Sequence, residues 1–286
     1  MTALRRQMDE AMIVRGMADK TREAYLGAVT GIARFYRRSP DQISEEEGQR
    51  HLRHLIQDRQ RAWSTCNIVV HGLRFLYHTT LKRPQPSFSI PGIRQPGKRP
   101  AILSRQEVHR LIAHATPLRA RTMLLTAYAS GVRLSEVLHL RVRDLDSARM
   151  MIRVEQGKGR QDRYTVLSAR LLEALRAYWT VARPTDWLFP ARGGARPMDP
   201  SSLQKAYHTA KRRAGLVTPG GIHALRHACA THWLEAGVDV HTIQRLLGHK
   251  SITTTMRYWH LTHASLTTHA ARLDLLADVP SIPPQG

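Results

Sequence analysis

His223-Ala-Leu-Arg226-His227-Ala-Cys229-Ala-Thr231 is a run without glycine or proline in which an imidazole and a guanidinium stand three residues apart. Positions i and i+3 share a helix face, so the stretch predicts a helix over about 222–236 that points His223 and Arg226 at one spot. Upstream, Gly131-Val-Arg133-Leu-Ser-Glu136 follows the end of a predicted apolar helix, 118–130. Downstream comes Leu246-Leu-Gly-His249, with Tyr258 nine residues later. Two arginines supply permanently charged, forked donors that match the two non-bridging oxygens of a phosphate. A tyrosine among basic groups and histidines is able to form a covalent phosphoryl-transfer site without metal. His223, His227 and His232, near Cys229, admit a zinc reading. The run lacks the His-Glu-x-x-His form and four convergent ligands, so no metal is expected.

The composition agrees with an anionic partner. The 286 residues hold 44 Lys plus Arg against 22 Asp plus Glu, a formal net charge of +22, and 42% are hydrophobic. A folded chain therefore carries the excess charge on its surface, where nucleic acid or an anionic membrane is the usual partner. No apolar run approaches the length of a membrane span, and the start lacks the apolar segment of a secretory signal. Cys66 and Cys229 are too few for a disulfide framework, which fits a reducing cytoplasm.

Three regions are expected. Residues 1–80 read as a helical bundle: Asp19 opens one helix and Ser39-Pro40 stops it, Ser44-Glu-Glu-Glu47 has the capping-box form, and Ser64 is placed to cap a third helix. Residues 81–100 hold five prolines and no acidic residue, with Lys82, Arg83, Arg94, Lys98 and Arg99, and read as an extended basic linker. That linker suits either contact with a phosphate backbone or a plain solvated tether. Residues 101–276 form a larger domain, and 277–286 a frayed tail. In the larger domain Ser104-Arg-Gln-Glu107 caps a helix, and 149–154 and 163–167 form a hairpin around Gln156-Gly-Lys158-Gly. Helices are expected at 168–182, 200–214, 222–236, 240–247 and 263–276, with Gly237, Gly248 and Thr253-Thr-Thr255 between them. The fold class is mainly α with a small β-sheet.

Taken together, four patterns in chain order resemble the tyrosine recombinases, the family of phage and integron integrases and Xer-type enzymes. Tyr128-Ala-Ser-Gly-Val-Arg133-Leu-Ser-Glu136-Val-Leu is similar to the first arginine box, and Gln156-Gly-Lys158-Gly to the catalytic-lysine turn. His223-Ala-Leu-Arg226-His227 with Ala230-Thr231 is similar to the second arginine box, and Leu247-Gly-His249 with Tyr258 to the last box and its nucleophile. A helical amino-terminal DNA-binding bundle of the SAM-like kind, a basic linker and a mixed α+β catalytic domain are that family's layout. Cys229 replaces a usual Phe, Val166 a common Pro, and Trp259 a small residue. None of these departures removes a chemical group.

The resemblance implies that Tyr258 attacks a DNA phosphodiester to leave a 3′-phosphotyrosyl bond and a free 5′-hydroxyl. It implies Arg133 and Arg226 on the non-bridging oxygens and Lys158, with Arg160 as a rival, as proton donor to the leaving oxygen. His223 would accept the tyrosyl proton and His249 would donate a hydrogen bond to the phosphate. Glu136 reads as an orienting carboxylate or as an exposed helix-start acid. Double-stranded DNA, a homotetramer on two paired sites and no cofactor follow from the same resemblance. Two other readings share the features: a type IB topoisomerase with the same constellation, and a non-catalytic DNA-binding regulator.

Overall fold

The computed structural model describes residues 2–83, 101–155 and 162–259, the side chains of Arg257 and Trp259 apart. The chain divides into two compact units, Met1–Lys98 and Arg99–Gly286.

The first unit is helical: α1 (Ala3–Val14), α2 (Asp19–Tyr36), α3 (Glu45–Gln57) and α4 (Trp63–Arg74), which runs on as a π-helical turn over Phe75–Thr80. Ser44 and Glu47 exchange side-chain and backbone hydrogen bonds in a full capping box at the start of α3. Such a cap contributes about 1 kcal/mol by satisfying amides that a helix start leaves unpaired. Met8, Met12, Ile32, Leu52, Leu73, Leu76 and Tyr77 close the core. The sequence reading did not single out α1, whose amphipathic stripe rests on two methionines. Ser64 does not cap α4. The N-cap is Ala62, without a side-chain bond, and Ser64 lies in the first turn. Arg83 also departs from the linker expectation. It stacks on Tyr77 at 5.4 Å and donates to the Asp41 carbonyl, so it is held by the first unit. Lys82 is exposed. Arg94, Lys98 and Arg99 lie outside the described residues.

In the second unit a capping box at Ser104 opens α5 (Arg105–Ala113). Then come α6 (Leu118–Ala129), α7 (Leu134–His139), β1 (Leu145–Asp146), β2 (Met151–Val154) and β3 (Arg163–Val166). The strands form an antiparallel sheet in the order β1-β2-β3. The expected hairpin thus has a third strand, and β2 begins two residues late because Met150 takes a left-handed φ of 55°. Pairing sets Val154 opposite Arg163 and Ile152 opposite Thr165. Thr165 Oγ1 donates to the Ser130 carbonyl at 2.7 Å, which ties β3 to the end of α6.

The remaining elements are α8 (Ala169–Ala182), α9 (Pro200–Arg213), α10 (His223–Glu235), α11 (Val240–Leu247) and α12 (Ile252–Trp259). Helix α10 packs against α5, α6, α11 and α12 and is buried on nearly every side. Thr253-Thr-Thr255, expected as a break, lies inside α12. Thr255 is buried with its hydroxyl on His249 Nδ1 at 2.8 Å, so tertiary packing overrides weak helix propensity. The expected helix at 263–276, the 277–286 tail and the Lys158 turn lie outside the described residues.

Candidate active site

Gly131 ends the α6 segment in a left-handed conformation, φ +64°. A Cβ there would stand 2.7 Å from Leu247 Cδ2 and 3.2 Å from Cys229 Sγ. Glycine therefore lets the backbone reach the α10–α11 core, and Arg133 emerges two residues later as the N-cap of α7. The Glu136 carboxylate accepts from the Arg133 backbone amide and side chain, both at 2.7 Å. A second guanidinium, Arg163 on β3, donates to both oxygens of the same carboxylate, at 2.9 and 2.7 Å. Glu136 is thus buried, with both carboxylate oxygens bonded by Arg133 and Arg163, and is not an exposed acid. Burial alone would push its carboxyl up. Hydrogen bonds and charge from Arg163, then from Arg133, hold it instead at about 2.

The second arginine comes from α10. Arg226 is 6% exposed and donates to the carbonyls of Gly131 at 2.6 Å and Leu247 at 2.7 Å. Arg133 donates to the next carbonyl, Gly248, at 3.0 Å. Arg163 Nε donates to Leu246 at 3.0 Å. Three guanidiniums from three elements thus grip three consecutive carbonyls at the end of α11. Those carbonyls sit at the negative end of a helix, where cations are favoured. Gly248, φ +65°, closes the turn, and a Cβ there would stand 2.6 Å from Arg163 Cδ.

Among the described residues one carboxylate, Glu136, faces the three guanidiniums of Arg133, Arg163 and Arg226, a net of two positive charges. Burial, followed by the charge of Arg133, pulls the Arg226 guanidinium down to about 10. Half-buried His249 is pushed down to about 4 by burial and then by Arg226, Arg133 and Arg163. It is neutral at pH 7. Such a cationic cluster favours an anion.

Tyr258 projects from α12 into this corner and is 4% exposed. Its ring stacks on His249 at 6.2 Å, 19° from parallel. Its hydroxyl lies 2.9 Å from His227 Nδ1. This differs from the expectation for His223. That residue opens α10 on an exposed face, and His227, one turn further, meets the phenol. His232 turns elsewhere and bonds Tyr128 at 2.9 Å. No cluster of three or more His, Cys, Asp or Glu is disposed to hold a metal among the described residues.

Sequence reasoning missed Arg163, His227 and Thr255. Arg163 carried no local signal among 44 basic residues, because its partners lie 27 and 83 residues away. His227 carries one, the i+4 spacing from His223 within the second arginine box, but that spacing does not say which ring meets Tyr258.

Comparison with known proteins decides the family. Residues 101–265 match the phage integrase family, and residues 4–87 match the phage integrase N-terminal SAM-like domain. The chain belongs to the phage integrase family. As a member it is a tyrosine recombinase, an enzyme of site-specific DNA recombination. It is 39% identical to an integrase/recombinase-named protein of Sinorhizobium fredii over 99% of this chain and 92% of that one. It is 31% identical to tyrosine recombinase XerC of Lactobacillus leichmannii, over 88% and 92% of the two chains. The crystal structure of XerA recombinase matches with a TM-score of 0.55 at 25% identity, covering 94% of this chain and 97% of that one. A lambda integrase tetramer bound to a Holliday junction matches in fold, with a TM-score of 0.70 at 18% identity over 90% and 76% of the chains. No helix among the described residues is long and apolar enough to cross a membrane.

Proposed function

We propose that the chain cleaves and rejoins double-stranded DNA through Tyr258, with Arg133 and Arg226 as the phosphate clamp. One observation carries the reading. Arg133 and Arg226, from separate helices, donate to the adjacent carbonyls of Gly248 and Leu247, and Tyr258 stands beside them with an excess of positive charge. The scissile phosphodiester is the anion that this cationic cluster receives.

In the cleavage step the Tyr258 oxygen bonds to phosphorus and the bond from phosphorus to the 5′ oxygen breaks. The 3′ strand is left on the enzyme. Lys158 protonates the departing 5′ oxygen. Arg133 and Arg226 stabilise charge that gathers on the non-bridging oxygens, an interaction strongest in the pentavalent transition state. Neutral His249, its Nδ1 beside the Thr255 hydroxyl, offers an Nε2 proton to the phosphate. His223, at the first turn of α10, accepts or helps move the Tyr258 proton. Glu136 and Arg163 hold Arg133 in place. Joining is the same step reversed by a new 5′-hydroxyl, so the bond energy is conserved and no nucleotide or metal cofactor is used.

Lys82 and the linker cations Arg94, Lys98 and Arg99 bind DNA phosphates, while Arg83 serves to anchor the end of the first unit. Synapsis of two sites calls for a homotetramer, and the substrate is chromosomal or mobile-element DNA in the cytoplasm. The test is Tyr258→Phe on a nicked suicide substrate followed by denaturing electrophoresis. The covalent adduct should vanish while DNA binding persists. An adduct that survives in the variant would move the nucleophile elsewhere.

A further inference from the structure

His249 stands in the short turn between α11 and α12, and its ring is held on two sides. One face lies on the Tyr258 ring, centroids 6.2 Å apart and 19° from parallel. Its Nδ1 lies 2.8 Å from the Thr255 hydroxyl. Thr255 and Tyr258 are three residues apart on α12, so one helix face presents both. Thr255 is 2% exposed. Among the described residues its hydroxyl has no second hydrogen-bond partner, and neither has the His249 ring.

We propose that Thr255 is a positioning residue of the reaction. Its hydroxyl donates to Nδ1 of His249, fixes the imidazole in the tautomer that bears its proton on Nε2, and so makes the ring a hydrogen-bond donor to the scissile phosphate. The inference rests on the phosphate site proposed above.

A neutral imidazole bears one N–H, on either of its two nitrogens. His249 is neutral at pH 7, since burial and then Arg226, Arg133 and Arg163 push it down to about 4. If Nδ1 held the proton, it would donate to Thr255, and the threonine's own O–H would be buried without an acceptor. A buried donor left in that state keeps its full desolvation cost. With the hydroxyl as donor and Nδ1 as acceptor, both groups are satisfied. The one ring proton then sits on Nε2, as the bond made by one nitrogen sets the state of the other. The opposite tautomer would turn a lone pair toward the phosphate oxygens and repel them. Because Thr255 and Tyr258 share a face of α12, seating of that helix places the nucleophile and readies the donor together.

The experiment uses the full chain and the nicked suicide substrate, with single-turnover rates measured at saturating protein. Thr255→Val keeps the branched shape and removes the hydroxyl. It should cleave about tenfold more slowly, a part of the roughly 10²- to 10³-fold that a lost oxyanion donor costs. The protein concentration for half-saturation should not change. Thr255→Ser restores the hydroxyl and should recover most of the rate. In a His249→Phe background Thr255→Val should cost nothing further, because the imidazole it acts through is gone. An equal cost in that background means that the threonine acts by packing alone, and it overturns the proposal. So does an unaltered rate in Thr255→Val, or a Thr255→Ser variant as slow as Thr255→Val. ¹⁵N-imidazole NMR of the unaltered protein gives an answer that no misfolded variant can obscure. The His249 signals, assigned by their loss in His249→Phe, should show a bare Nδ1 and a protonated Nε2, and the reverse pattern refutes the proposal. If the unaltered protein forms no Tyr258 adduct at all, the nucleophile assignment fails, and the NMR pattern still decides the tautomer.

Discussion

Replacing Glu136 by Gln probes the hub of the site. The carboxyl is held at about 2 against an ordinary 4.5. At 1.36 kcal/mol for each tenfold change in acidity, that corresponds to about 3 kcal/mol of stability from the ionised form. The figure agrees with the roughly 3–5 kcal/mol lost when one partner of a buried ion pair is removed. Because the folded-state value is depressed, the contribution is complete above the ordinary carboxylate range and is lost as pH falls through about 2. Glu136→Gln should therefore be about 3 kcal/mol less stable at pH 7, and the gap should shrink to about half by pH 3. Urea unfolding followed by tryptophan fluorescence reads it, since Trp179, Trp187, Trp233 and Trp259 lie in the second unit and only Trp63 in the first. A gap below about 1 kcal/mol at pH 7 would refute the reasoning, since an exposed pair contributes no more than that. A gap that does not change with pH would refute it too.

Three further outcomes are expected. Arg133→Ala should slow cleavage by about 3–4 kcal/mol in transition-state terms while DNA binding, measured by titration, changes far less. Arg226→Ala should do the same and also lower the melting temperature, because its fork holds the Gly131 and Leu247 carbonyls; loss of rate only in parallel with loss of affinity would make both residues ordinary backbone contacts. Gly248→Ala should cost about 1 kcal/mol or more for the left-handed φ and should displace Arg163, so adduct formation falls although no reacting group is removed. Thermal melting and the adduct assay measure this, and an unaltered rate would show that the Arg163 contact is idle.

The sequence alone determined the elements with strong local chemistry. Ser44 and Ser104 announce helix starts because their hydroxyls have a Glu three residues on to complete the box. Gly131 marks the end of α6 because the chain turns there at positive φ. Arg133, Arg226, His249 and Tyr258 were legible as a group, since a phosphate site needs those types and their order follows the family's boxes. Weakly local elements were not legible. The α12 helix was hidden behind three threonines, of which Thr255 is buried against His249 and compensates a poor propensity in a way that no neighbour in sequence reveals. Only the tertiary structure decided which side chains meet. Arg163 pairs with Glu136 because the β2–β3 register turns it toward α7, and one residue of slip would face it away. His223 and His227 are both histidines on one helix face, and sequence spacing treats them alike. The packing of α12 on α10 brings the Tyr258 hydroxyl to the second and leaves the first in solvent. Side-chain partners across distant elements depend on helix rotation and strand register, and these are set by the core as a whole.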